Sequence, residues 1–161
     1  MKPERRPFYR RIWTRRLELP LLAEAILALI AAKLSLKLRP FHHIVRGLTQ
    51  PNAAIVAESP ETQARRVRWA VLVAAGHMPW RSVCFDQAIA AHRMLRRRGV
   101  SAEVIYGVRH QDQDLSAHVW VCLADDSIVI GAEQAPNYRP ITRFRARTGG
   151  DAGDGEIHRQ A

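Results

Sequence analysis

The sequence predicts an α+β domain in which N-terminal helices precede a cysteine-bearing helix packed on a small antiparallel sheet. Three observations predict it. Up to Gly99 the apolar residues recur at helical spacing, whereas Ala102–Val108, Ser116–Leu123 and Ser127–Gly131 run as strands do. The punctuation agrees: Pro20 and Pro60 stand in first helical turns, and Gly99 stands where a left-handed stop is needed. At 161 residues, with no internal repeat, the chain is long enough for one domain of this kind.

The elements follow in order. Residues 1–16 form a basic, flexible N-terminus, and 17–78 form a helical part. Within it, Pro20 to Lys37 is a helix, and Pro40 to Gly47 suits a short second helix or a turn. Gln50-Pro51-Asn52 is a break. Ser59-Pro60-Glu61-Thr62 starts a helix with a capping Ser, Pro at the first position and an acid in the first turn. Its apolar face is Val67, Ala70, Val71, Ala74 and Ala75, and it stops before Pro79. Residues 79–147 hold the cysteine helix, at 83–98, and all three strands. His110 to Leu115 reads as a polar loop and Asp125-Asp126 as a hairpin turn. Residues 148–161 are a Gly- and Asp-rich flexible tail.

The net charge of +10 is concentrated in two places, the first sixteen residues and Arg93, Arg96, Arg97 and Arg98. The second cluster has a local explanation, because cations near a helix C-terminus are favoured by the dipole. The first suits a solvated tail or an acidic partner. It carries no recognisable reading motif of a nucleic-acid module. The apolar stretch Leu19–Leu38 is interrupted by Glu24, Lys33 and Lys37. Charges at that depth oppose a transmembrane span. A packing helix is the better reading, with attachment to a membrane surface as the alternative.

The chemistry centres on Cys84 and His118. Cys84 opens a helical run, and a thiol there feels the positive end of the helix dipole, which favours thiolate. His118 lies in the strand Ala117-His118-Val119-Trp120-Val121, from which an imidazole can accept the proton or pair with the thiolate. The other reading is an inert core Cys and a satisfied core His. If 116–123 is a strand, Cys122 lies about 13 Å along it from His118, at roughly 3.3 Å per residue. Cys84 cannot meet His118 and bond Cys122 at once, so a reactive Cys84 implies two free thiols and a reducing, cytoplasmic setting.

A hairpin centred between Asp125 and Asp126 places Glu133 opposite His118. Glu133 is therefore the expected orienter of the imidazole, with Gln134 taking over if the turn shifts by one residue. Trp80 could wall a cleft or lend its indole N–H to an oxyanion. Asp86, in the first turn of the Cys84 helix, could contact substrate, although the dipole already accounts for it. The backbone N–H of Cys84 is the better oxyanion donor. Neither a Cys-x-x-Cys nor a His-x-x-x-His pair occurs, and no Gly-rich phosphate loop, so no metal and no cofactor is expected.

Pro79-Trp80-Arg81-Ser82-Val83-Cys84-Phe85, Leu95-Arg96-Arg97-Arg98-Gly99-Val100 and Ala117-His118-Val119-Trp120-Val121 together resemble the leader peptidases of lasso-peptide biosynthesis. Those B proteins are transglutaminase-like cysteine proteases, and the resemblance spans roughly residues 17–144. It implies Cys84 as nucleophile and His118 as base. The family's acidic member would fall near Ile130 or Gly131, neither of which carries a carboxylate. It also implies a precursor leader peptide as substrate and an asparagine-synthetase-like cyclase downstream. Because the residues before Trp80 read as helices, it implies a separate leader-recognition protein rather than a fused one. A non-catalytic module on the same fold is the alternative, and a basic nucleic-acid-binding protein the weaker one.

Overall fold

The structure is a computed structural model that describes residues 18–50, 58–111 and 114–145. The expected basic N-terminus at 1–16 and tail at 148–161 lie outside the described residues, as do Pro51 and Asn52 of the expected break.

Among the described residues four helices precede the sheet: α1 (Leu19–Leu38), α2 (Phe41–Leu48), α3 (Pro60–Gly76) and α4 (Cys84–Arg97). Each boundary has a local cause. Pro20 sits in the first turn of α1, where its missing N–H costs nothing. Ser59 caps α3, its hydroxyl oxygen accepting the Thr62 N–H at 3.3 Å. Gly99, at φ 73°, makes the left-handed stop after α4 that other residues adopt only with strain.

The strands are β1 (Ala102–Gln111), β2 (Asp114–Leu123), β3 (Ile128–Ile130) and β4 (Arg139–Phe144), in the order β3-β2-β1-β4 with every neighbouring pair antiparallel. The fold class is therefore α+β, as the sequence predicts. Two details differ. His110–Leu115 is not a loop, because His110 pairs with Leu115 and Gln111 with Asp114. Polar residues there extend the β1–β2 ribbon, since a two-residue connection suffices for an antiparallel pair. The sequence also gave no sign of β4, an exposed edge strand interrupted by Pro140 with little apolar alternation.

The sheet has two dissimilar faces. Val104, Val119, Val121, Leu123 and Val129 join the helices in the main core. Ile105, Trp120 and Cys122 point the other way, under Ala135 and Tyr138. Gly107 makes room for that second layer: a Cβ there would lie 2.7 Å from the Trp120 ring. In the main core α4 is central. Ala88, Ile89, Ala90 and Ala91 are all fully buried, and four consecutive buried residues cover every side of a helix. Three of them are alanines, as are the buried Ala25, Ala28 and Ala32 of α1 and Ala64, Ala70 and Ala74 of α3. Small residues let helix axes approach closely.

His92 of α4 lies inside this core. Burial, followed by the charge of Arg96, depresses its pKa to about 4. The folded state then holds a neutral ring, while the unfolded chain binds a proton near 6.5. The resulting stability is complete above pH 6.5 and is lost as pH falls toward 4, a change on the order of 3 kcal/mol. Urea midpoints measured from pH 7 to pH 4.5 should fall, and His92→Gln should flatten that slope.

Candidate active site

Cys84 is the first residue of α4 and is half-buried. Its backbone N–H belongs to the first turn, which has no carbonyl partner four residues back. The N-terminus of α4 is held by Asp86, whose Oδ2 accepts the Val83 N–H at 3.4 Å. The same oxygen meets Lys33 Nζ of α1 at 3.4 Å. Asp86 is buried, and its Oδ1 has no partner. The structure thus gives this carboxylate a capping and bracing position beneath Cys84 rather than a surface one. Both cysteines are free.

His118 is buried on β2 and faces the side of the sheet away from α4, with Trp120 and Tyr138. Its ring lies 5.9 Å from Trp120 and 5.2 Å from Tyr138, centroid to centroid. Its Nε2 lies 3.1 Å from the carbonyl oxygen of Gly131. A carbonyl can only accept, so Nε2 carries the hydrogen in this bond and Nδ1 is left as the proton acceptor of the neutral ring. Gly131 itself is required: at φ 84° it turns the chain off β3, and a Cβ there would sit 3.0 Å from His118 Nε2 and 2.8 Å from Trp120 Cβ.

This geometry corrects the expectation for Glu133. The expected register does pass through the Val121↔Ile130 pair. But β3 ends at Ile130, so the ladder never extends to a His118–Glu133 pair. Glu133 is 72% exposed and its Oε1 accepts from Arg68 Nη2 at 3.0 Å. Its own backbone N–H and the Arg68 guanidinium hold its carboxyl below the usual range. Gln134 does not hold the ring either. A main-chain oxygen occupies the orienting position, at one of the two residues where the acidic member was sought and no carboxylate exists. Sequence reasoning missed Arg68, which also donates to the Val129 carbonyl at 2.7 Å and so ties α3 to both sides of Gly131. No local pattern marks an arginine whose partners lie sixty residues away.

Trp80 is half-buried, with its indole N–H unpartnered and out of solvent. With Leu72, Met78, Ser82 and Gln87 it lines a groove of about 640 Å3, and of these Ser82 and Gln87 flank Cys84 in the chain. Among the described residues no hydrogen bond joins Cys84 to His118; the ring bond of His118 goes to Gly131.

The chain matches the model of the transglutaminase-like superfamily over residues 26–143, from within α1 to the last residue but one of β4. The protein therefore belongs to the transglutaminase-like superfamily, whose fold is of the cysteine-peptidase type. No curated protein and no solved structure matches it.

Two outcomes follow from the site. Burial, reinforced by Asp126, pushes the Cys122 thiol up to about 11. Iodoacetamide at neutral pH should therefore modify Cys84 first, and a single adduct at Cys84 should be found by peptide mapping. Glu133→Gln breaks only an exposed ion pair, so it should shift the unfolding free energy by less than about 1 kcal/mol. The His118 Nε2–H signal should survive that substitution in an NMR spectrum.

Proposed function

We propose that this protein is a cysteine peptidase that removes the leader from a ribosomally made lasso-peptide precursor. The observation that carries the reading is the His118 ring, fixed through Nε2 with Nδ1 left to act as base, in a chain that also starts a helix at Cys84. The Trp80-Arg81-Ser82-Val83-Cys84 and Arg96-Arg97-Arg98-Gly99 segments that resemble the leader peptidases both fall inside the matched region.

In the proposed reaction the Cys84 proton passes to His118 Nδ1 and the sulfur attacks the carbonyl carbon of the last leader residue. The tetrahedral oxyanion takes a hydrogen bond from the Cys84 backbone N–H. The C–N bond then breaks, and the imidazolium protonates the departing core amine. Water, deprotonated by His118, hydrolyses the thioester and restores the thiol. The groove beside Trp80 is the candidate seat for the leader. Because the His118 ring faces the side of the sheet away from α4, this reaction requires the two groups to be brought together when substrate and partner bind.

The described residues before Trp80 are all helical or connecting, and no β-rich recognition unit stands among them. A leader-recognition protein is the proposed partner, and an asparagine-synthetase-like cyclase the consumer of the freed amine. The proposed setting is the cytoplasm.

A second reading has its own support. A neutral backbone oxygen stabilises an imidazolium less than a carboxylate does. Together with the unmade Cys84–His118 bond, this favours a non-catalytic binding module on the same fold. The two readings separate in one experiment. Precursor, recognition protein and this chain are combined and cleavage is followed by mass spectrometry. Cleavage that requires the recognition protein and disappears in Cys84→Ala, with an unchanged circular dichroism spectrum, is the expected result. Binding of the precursor without cleavage, equal in wild type and Cys84→Ala, would establish the module instead.

A further inference from the structure

The outward face of α1 is unusual for a surface helix. Leu19, Pro20, Ala23, Leu27, Ile30, Ala31, Leu34 and Leu38 are all exposed. At 100° per residue they fall within one arc of about 120°, extending roughly 30 Å along the axis. Leu27 is 66% exposed, Leu34 50% and Leu38 73%, and Phe41 continues the stripe at 55%. The polar groups nearby point elsewhere. Glu24 bonds Arg97 and Arg98 of α4, Lys33 meets Asp86, and the Ser35 hydroxyl donates to the Ala31 carbonyl. From Leu19 to Leu36 the face offers no hydrogen-bonding side chain.

The sequence that contains the stripe is strongly basic. Residues 1–48 contain eleven Lys and Arg and three Glu, a net +8 of the chain's +10. Lys37, Arg39 and Arg46 are exposed at the C-terminal end of the stripe. Seven of the eleven cations precede its N-terminal end in the sequence.

We propose that the outward face of α1 is a docking surface for an anionic lipid bilayer. A long apolar stripe with exposed cations at its C-terminal end, in a strongly basic stretch of sequence, matches a bilayer's acyl boundary and its charged headgroups. The alternatives fit less well. A protein interface carries about one hydrogen bond per 100–200 Å2, and this face has nothing to contribute to them. A second copy would bring two +8 segments together. The helix would lie in the plane of the interface rather than cross it. Although α1 is long and apolar enough to span, Leu21, Ala25, Leu29 and Ala32 are committed to the core, and α1 cannot leave without exposing it. The proposal is independent of the chemistry at Cys84.

The test is co-sedimentation of the full chain with vesicles of three parts phosphatidylcholine to one part phosphatidylserine, beside vesicles of phosphatidylcholine alone. Binding to the anionic vesicles, weakened by salt, is expected. Leu27→Glu with Leu34→Glu should reduce it by at least about tenfold. These side chains are exposed, so the circular dichroism spectrum should be unchanged. Lys37→Glu with Arg39→Glu, which leaves every apolar residue in place, should also weaken binding, and only on anionic vesicles. Absence of vesicle binding would overturn the proposal. So would binding unchanged in Leu27→Glu/Leu34→Glu, because the basic N-terminus alone would then account for it. A dimer in analytical ultracentrifugation that those substitutions dissolve would assign the face to a second copy instead.

Discussion

The enclosure of α4 is the constraint on which the rest of the structure depends. A helix buried on every side must be met by partners that fill each side at close range. Alanines supply that range: those of α4 face those of α1 and α3, with the sheet closing the remaining side. The arginines that end α4 escape by reaching past the core. Arg96 donates to the Gly47 carbonyl at 3.0 Å, and Arg98 pairs with Glu24. For Glu24, burial raises the carboxyl pKa, but Arg98 and Arg97 outweigh it and the net shift is downward. These contacts fix α1 and α2 on the helix whose first residue is Cys84. The position of the thiol is set by the whole helical layer.

The other half of the candidate site depends on a different constraint, the end of β3. Gly131 leaves the ladder with positive φ, and the same turn aims its carbonyl at His118. Arg68 braces this turn from α3 through Val129 and Glu133. The carboxylate expected beside the imidazole therefore acts one step removed, on the backbone that holds the ring. The hydrogen bond that orients His118 is neutral. It selects the tautomer as a carboxylate would, but lends less to the charged ring.

Much of the helical layer was legible because its signals are local. Ser59 before Pro60, Gly99 after three arginines and the apolar spacing of α3 each concern residues within one or two turns. The Asp125-Asp126 turn was legible for the same reason: Asp125 accepts the Ser127 N–H at 3.0 Å, and Asp126 takes positive φ at 62°. The hairpin register was legible only as far as the ladder lasts. Extrapolation from Val121↔Ile130 to Glu133 assumed three more paired residues, and the turn at Gly131 removed them.

By itself the sequence determined the α+β order, the helix limits, the place of Cys84 at a helix start and of His118 in a strand. Those properties follow from backbone preference and side-chain periodicity, which act over a few residues. The tertiary structure decided that a carbonyl rather than a carboxylate holds His118, that Glu133 belongs to Arg68, and that Asp86 is sealed beneath Lys33. It also decided which face of α1 is left to solvent. Each of these depends on groups brought together by packing across thirteen to sixty-five positions of chain, where no spacing rule in the sequence applies.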